Sequence, residues 1–138
     1  MNEYRFDQLS VGMGAAFDAL ISAEMLDRFA DLCGDRNPLH MDRDFAASAG
    51  HPDRVAHGML SASLFSTLVG MHLPGKNALL HETKASFRSP IYPGDRVQVS
   101  GEIVSLNETC KQAEIKAQIR GPKGQKCVSA TLKVGLAA

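Results

Sequence analysis

The segment Phe29–Asp42 has the sequence FADLCGDRNPLHMD and places a carboxylic acid, Asp35, and an imidazole, His40, on one short turn. Gly34 can end a preceding helix in the left-handed conformation that other residues resist. Pro38 disfavours helical dihedrals at the residue before it, so we expect a turn or an extended loop after the helix. An acid and a histidine held this close together can share proton acceptance and donation at neutral pH. The residues alone also fit an ordinary turn with no chemical role.

The residues on either side of this segment predict helices. Ser22 can cap a first helix, and its apolar side chains recur at helical spacing at Leu26, Phe29, Ala30 and Cys33. Asp42 or Asp44 can cap a short second helix. From His57 to about Met71 the residues are almost all small or apolar, which predicts a helix buried on most of its circumference.

The second half of the chain changes to an apolar–polar period of two, which is typical of strands with one buried face. Four segments have this pattern, namely Thr83–Phe87, Val97–Leu106, Ala113–Ile119 and Val128–Val134. The phase slips at Gly101, which indicates a bulge, and residues 121–124 have the composition of a turn. A sheet with one apolar face needs one covering layer, so the periodicity predicts the α+β class.

The composition is that of a compact globular domain without a strongly charged partner. The chain has 138 residues, 44% of them hydrophobic, and its 15 basic and 15 acidic side chains balance. We therefore expect one domain over residues 1–138, with neither a nucleic acid nor a membrane as partner. The amino terminus lacks the pattern of a secretory signal, so we expect a cytoplasmic protein. The odd number of cysteines, Cys33, Cys110 and Cys127, predicts buried free thiols.

Three blocks of the sequence form a pattern that extends over nearly the whole chain. The first has an aromatic residue, then Gly-Asp-x-Asn-Pro-Leu-His-x-Asp and a downstream alanine, here Phe29, Gly34–Asp42 and Ala46. The second and third blocks are Val55–Leu60 and Phe87–Asp95. Together they resemble the MaoC-like family of (R)-specific enoyl-CoA hydratases and 3-hydroxyacyl dehydratases. The resemblance implies a single hot-dog domain, in which an antiparallel sheet wraps around a central buried helix.

The resemblance also implies a reaction, the reversible hydration of a trans-2-enoyl thioester to the (R)-3-hydroxyacyl thioester. Asp35 is then the expected base for the water, and His40 is the partner that delivers a proton to the α-carbon. In similar hydratases the glycine region before the central helix contacts the thioester oxygen, so Gly58 is the expected donor. The sequence does not fix which group of the pair holds which proton.

Four further residues are candidates for substrate binding, and each has a structural alternative. They are Asn37, His57, Ser61 and Arg88. Asn37 can instead bond the backbone of its own turn, while His57 and Ser61 can instead be hydrogen-bonded at the packed start of the helix. Arg88 can meet the phosphates of coenzyme A or of a phosphopantetheine arm, or it can belong to an exposed cationic strand face.

No metal or redox cofactor is expected. His40, His51 and His57 are not at helical ligand spacing, and neither a His-Glu-x-x-His motif nor a paired-cysteine motif is present. The expected partner is an acyl-CoA or acyl-carrier-protein thioester, which carries its own coenzyme A or phosphopantetheine arm. By analogy, we expect a homodimer or a higher homo-oligomer with a continuous sheet.

Two other functions stay open at this point. One is a hot-dog thioesterase, in which Asp35 activates water against the thioester carbonyl. The other is a non-catalytic subunit that binds acyl thioesters. The length and branching of the acyl chain are not determined by the sequence.

Overall fold

The fold is a five-stranded antiparallel sheet with four helices, and the computed structural model describes residues 1–138. In chain order the elements are β1 (Gly14–Leu20), α1 (Ala23–Cys33), α2 (Pro38–Met41), α3 (Arg43–Ser48), α4 (Gly58–Thr67), β2 (Ala78–Phe87), β3 (Arg96–Asn107), β4 (Gln112–Arg120) and β5 (Lys126–Leu136). The strands lie in the order β1-β3-β4-β5-β2, and every neighbouring pair is antiparallel. None of the helices combines the length and the apolar character that crossing a membrane requires.

The core lies between α4 and the apolar face of the sheet. Leu60 and Phe65 of α4 belong to one buried cluster with Ile115 of β4 and Leu132 of β5. Removing such side chains from water is the main favourable contribution to folding, at roughly 25 cal/mol per Å² of apolar surface. The expected α+β class, with an antiparallel sheet around a central helix, is confirmed.

Strands β4 and β5 follow the alternation in the sequence. Every apolar residue of the pattern in β4 and β5 is buried: Ala113, Ile115, Ala117, Ile119, Val128, Ala130, Leu132 and Val134. Strand β1 was not predicted, because its sequence GAAFDAL contains mostly glycine and alanine, which have little strand propensity. The strand forms because it pairs with β3, from Gly14 opposite Glu102 to Leu20 opposite Arg96. Its composition alone does not predict a strand.

Helix α1 begins and ends where the sequence predicts. The Ser22 hydroxyl oxygen accepts a hydrogen bond from the Met25 N–H at 3.2 Å, and Gly34 ends the helix with a φ of 82°. Leu26 and Ala30 are buried in the core. The prediction of buried thiols was wrong for Cys33, which is exposed because the last turn of α1 faces a cleft.

The remaining cysteines and the loop after Gly34 also differ in part from expectation. Cys127 is buried, but Cys110 is exposed in the turn between β3 and β4. The expected loop after Asn37 is partly helical, because Asn37 caps the four-residue helix α2 and Pro38 is suited to a first helical position. Asp42 caps α3, as predicted.

The central helix is shorter and more exposed than its composition suggested. Helix α4 ends at Thr67, and the chain continues as a π-helical turn over Leu68–His72. Met59 is 66% exposed, because only one side of α4 packs on this chain's own sheet. The prediction of burial around most of the circumference therefore does not hold within a single chain.

Two strand predictions need correction in detail. Thr83 and Phe87 are exposed, because β2 is an edge strand and nothing in this chain covers that part of its surface. The bulge in β3 is real but lies later than Gly101: the register with β4 shifts between Ile103 and Ser105. Val104, the extra residue there, is partly exposed.

Candidate active site

The loop between α1 and α2 is closed by hydrogen bonds from two side chains to backbone N–H groups. Gly34 turns the chain out of α1, and the Asp35 Oδ1 atom then accepts the Asn37 N–H at 3.1 Å. The Asn37 side-chain oxygen accepts the Leu39 N–H at 3.0 Å. Short polar side chains are suited to such turns because they replace the backbone's missing partners. The loop therefore directs the second oxygen of Asp35 toward α2.

Asp35 and His40 face each other at the end of this loop. The Asp35 Oδ2 atom lies 3.7 Å from the His40 Nε2 atom. This separation is too long for a direct hydrogen bond, so both atoms are free to bond a third group placed between them. The carboxylate side chain is 50% exposed, whereas the imidazole is 15% exposed. The pair thus joins a solvent-accessible acid to a largely enclosed histidine.

The tautomer of His40 follows from its other ring nitrogen. The Nδ1 atom lies 2.7 Å from the carbonyl oxygen of Val55, and a carbonyl can only accept. Nδ1 therefore carries a hydrogen, and in the neutral ring the lone pair is on Nε2, facing Asp35. Arg54 supports the same turn, since its Nε donates to the His40 carbonyl oxygen at 2.7 Å.

The amino-terminal end of α4 forms the opposite side of the site. Gly58 is the first residue of α4, and the side chain of His57 does not cap the helix. The first N–H groups of a helix have no partner within it and carry a partial positive charge. A cleft of about 280 Å³ lies here, lined by Phe29, Cys33, Asp35, His57, Gly58, Met59 and Phe87. The cleft therefore brings the carboxylate and the start of α4 into one space.

His57 lies behind the pair and is almost completely enclosed, with 2% of its surface exposed. Its Nε2 atom lies 3.0 Å from the Asp35 carbonyl oxygen. Its ring stacks on His40 with centroids 4.1 Å apart, and it tilts against Phe29 at 5.0 Å. His57 nevertheless contributes to the cleft wall.

The other predicted binding residues have different positions. Asn37 caps α2 through its side-chain oxygen and lies beside the pair. Ser61 is buried, and its hydroxyl lies 3.5 Å from the His57 carbonyl oxygen, one turn back along α4. Arg88 follows the end of β2, and its Nε donates to the Ser129 hydroxyl at 3.0 Å. Ser61 and Arg88 do not line the cleft, although Phe87, next to Arg88, does.

A carboxylate and two imidazoles also meet here at distances that a metal ion would accept. One ligand atom each of Asp35, His40 and His57 lies within 4.8 Å of the others. This donor set is suited to Zn²⁺. One nitrogen of each ring is already bonded to a backbone carbonyl, so each histidine has one nitrogen left for any other partner.

Comparison with known proteins shows the family and the fold of this chain. The family described as the MaoC like domain matches residues 11–121, which include α1 to α4 and most of the sheet. The chain belongs to the MaoC-like family. The fold implied by the resemblance is confirmed as well, since the MaoC-like chain superposes on an (R)-hydratase from Aeromonas caviae involved in PHA biosynthesis. That superposition has a TM-score of 0.90 at 36% identity and covers 94% of this chain and 98% of the other.

Two curated relatives of the MaoC-like chain are named as enzymes of enoyl thioesters. The (R)-specific enoyl-CoA hydratase of Aeromonas caviae is 39% identical over 111 residues, which are 80% of this chain and 83% of the relative. The 3-hydroxybutyryl-CoA dehydratase of Methylorubrum extorquens is 36% identical over 110 residues, 80% of this chain and 70% of the relative.

Several groups of the site were not predicted from the sequence. The Val55 carbonyl and Arg54 hold the His40 turn, and Cys33, Met59 and Phe87 line the cleft. A backbone carbonyl has no signature in the sequence, and the side chains were interpreted as packing residues. Met59 and Phe87 do lie inside the blocks that resemble the family, which is the one signal that pointed to them.

Proposed function

We propose that this MaoC-like chain is a hydro-lyase that reversibly hydrates trans-2-enoyl thioesters to (R)-3-hydroxyacyl thioesters. The observation that carries the proposal is the Asp35–His40 pair, with Oδ2 and Nε2 3.7 Å apart, beside a cleft that also contains the start of α4. The names of the relatives from Aeromonas caviae and Methylorubrum extorquens support it. The (R) configuration is taken from the family.

In the proposed reaction, a water molecule lies between the carboxylate and the imidazole. The Asp35 carboxylate takes one proton from the water as the water oxygen bonds to the β-carbon. The His40 imidazolium donates its Nε2 proton to the α-carbon, so that one OH and one H are added across the double bond. A proton then moves from the Asp35 carboxyl group to His40, which restores the starting pair. Dehydration follows the same steps in reverse.

The start of α4 has a separate role in this proposal. As the water adds, negative charge develops on the thioester oxygen, and the Gly58 N–H donates a hydrogen bond to it. A donor fixed before the reaction stabilises that charge without reorganisation, and the helix dipole has the right sign. Gly58 has no side chain to block the approach of the thioester.

The rest of the substrate is proposed to bind through the remaining candidates. Asn37 and His57 flank the pair, Ser61 supports the first turn of α4, and Arg88 binds the phosphates of coenzyme A or of a carrier-protein arm. Arg88 is exposed and has no acidic partner within salt-bridge distance, so its other guanidinium nitrogens are available. The proposed reaction is an acid–base addition and requires neither a metal nor a redox cofactor.

We further propose a homodimer that pairs β2 with the β2 of a second copy. Strand β2 is an edge strand of ten residues, and an unpaired edge of that length invites association. Large apolar side chains are exposed on or near it: Met59, Met71, Leu79 and Phe87. A second copy would cover this surface and continue the sheet.

The test follows the absorbance of the conjugated double bond in crotonyl-CoA and in one longer homologue, with free thiol assayed in parallel. Wild type is compared with Asp35→Asn and His40→Gln, and with Asp18→Asn as a matched control on the outer face of β1. We expect loss of the conjugated signal without thiol release, and a fall in kcat of about 10²-fold or more in both site variants. Thiol release would instead assign a thioesterase. If neither signal is observed, the result would favour a binding subunit.

A further inference from the structure

We infer that His57 is a positioning residue, whose buried ring holds the Asp35–His40 pair at a fixed place relative to the Gly58 N–H. The inference rests on the proposed hydratase function and deepens it. Its basis is one hydrogen bond that joins two separate parts of the chain, from the His57 Nε2 atom to the Asp35 carbonyl oxygen at 3.0 Å. Because His57 directly precedes Gly58, this bond links the acid–base loop to the first turn of α4.

The direction of this hydrogen bond defines the state of the ring. The Asp35 carbonyl can only accept, so the hydrogen lies on His57 Nε2. The other nitrogen, Nδ1, is buried and has no hydrogen-bond partner. His57 therefore acts in this structure as a hydrogen-bond donor to the acid–base loop.

His40 bonds the backbone through the opposite ring nitrogen in the same stack. Its hydrogen lies on Nδ1, which donates to the Val55 carbonyl at 2.7 Å, and its Nε2 faces Asp35. The two rings stack with centroids 4.1 Å apart and planes 27° from parallel. The His57 ring thus holds the backbone of Asp35 and stacks on one face of His40. The His40 ring keeps its Nε2 atom for the reaction.

The geometry that His57 holds matters most when the water attacks. At that moment the carboxylate acts on the attacking water, the imidazole on the α-carbon and the Gly58 N–H on the thioester oxygen. A misplacement of about 1 Å can lower the rate about 10²-fold, while the bound substrate tolerates it far better. Loss of the His57 hydrogen bond should therefore lower kcat much more than it raises KM.

Two substitutions separate the hydrogen bond from the volume of the ring. In His57→Gln the side-chain amide nitrogen reaches about as far as Nε2 and can still donate to Asp35. In His57→Leu a side chain of similar bulk has no donor. The matched control is His72→Leu, because His72 stacks on Phe17 with centroids 4.8 Å apart, beyond the other end of α4.

With crotonyl-CoA, we expect His57→Leu to lose about 10²-fold in kcat with little change in KM. His57→Gln should recover most of that loss, and His72→Leu should keep the wild-type kcat. A folded His57→Leu variant with wild-type kcat would overturn the inference, and so would a His57→Gln variant as impaired as His57→Leu. A wild type without turnover would contradict the proposed hydratase instead.

A second measurement does not depend on turnover. Nitrogen-15 NMR of histidine-labelled wild type distinguishes the two neutral tautomers. We expect hydrogen on Nε2 of His57 and on Nδ1 of neutral His40, with assignment from His57→Gln. A His57 ring with its hydrogen on Nδ1 would overturn the inference.

Discussion

At Gly58 the absence of a side chain determines how closely a substrate can approach the start of α4. A Cβ atom at this position would lie 3.2 Å from Cε1 and 3.3 Å from Cδ1 of the Phe87 ring. The ring is 51% exposed within the single chain, so little of this chain's own packing is lost if it moves. The added methyl group would then occupy the cleft rather than disrupt the core.

For Gly58→Ala we therefore expect a melting temperature near that of wild type and a fall in kcat/KM of about 10²-fold. The reason is that the thioester oxygen can no longer reach the helix N–H. Enoyl-CoA kinetics and thermal melting check this together. Gly70→Ala is the matched control, because a Cβ at Gly70 has nothing within 4 Å. Unchanged kcat/KM in Gly58→Ala would remove Gly58 from the proposed oxyanion contact.

The three thiols should differ in reactivity. Burial raises the pKa of the Cys127 thiol, and the negative charge of Asp95 adds to this effect. A raised pKa lowers the thiolate fraction at any given pH, and only the thiolate attacks. At pH 8 we expect Cys33 and Cys110, which are exposed, to react with a maleimide well before Cys127. Mass spectrometry after a short exposure checks this, and three equal rates would contradict it.

At the level of elements, α2 depends on its neighbours. A helix of four residues has little stability by itself. The Arg54 side chain holds it, with Nε on the His40 carbonyl at 2.7 Å and the guanidinium 2.6 Å from Asp27 of α1. Asn37 supplies the cap at its start. The position of His40 therefore depends on this cap and this arginine as well as on the Val55 carbonyl.

Substitution of Asn37 tests whether its role is to cap α2. Asn37→Ala removes the acceptor for the Leu39 N–H, which should cost about 1 kcal/mol in the free energy of unfolding and lower kcat. Asn37→Asp keeps that acceptor, so most of the stability and activity should remain. Chemical denaturation measures the free energy of unfolding, and enoyl-CoA kinetics measure kcat. If Asn37→Asp is as inactive as Asn37→Ala while stable, the amide itself contacts the substrate.

At the level of the whole molecule, several of the exposed large apolar side chains lie on or near the edge strand β2. Leu79 on β2 and Met59 on α4 are each 66% exposed, and Phe87 at the end of β2 is 51% exposed. Exposed apolar patches of this kind mark association surfaces, and an edge strand supplies unpaired backbone groups in addition. The proposed dimer uses both features.

Leu79→Lys should therefore shift the protein toward the monomer. A lysine here would place a charge in the proposed interface, where it would be desolvated without a partner. Sedimentation velocity over a dilution series measures the change. Val104→Lys is the control, since Val104 is an exposed apolar residue at the bulge of β3. A dimer equally stable in both variants would place the interface away from Leu79.

The sequence by itself determined the elements whose signals are local. The Ser22 cap, the Gly34 stop and the alternation in β4 and β5 each depend on a few neighbouring residues, and the structure has all of them. The Gly-Asp-x-Asn-Pro-Leu-His segment predicted the acid and the histidine on one short turn for the same reason, although the structure places His40 in the short helix α2. Short-range dihedral preferences and caps are fixed by residue type, so the sequence alone reveals them.

Only the tertiary structure decided which distant groups meet these residues. Strand β1 has weak propensity and exists because β3 pairs with it. The Val55 carbonyl lies 15 positions after His40, and His57 lies 22 positions after Asp35, yet these contacts set both tautomers. Packing brought Cys33 to the cleft and left Phe87 exposed at the edge. Such contacts depend on the packing of whole elements, which no local pattern of residues encodes.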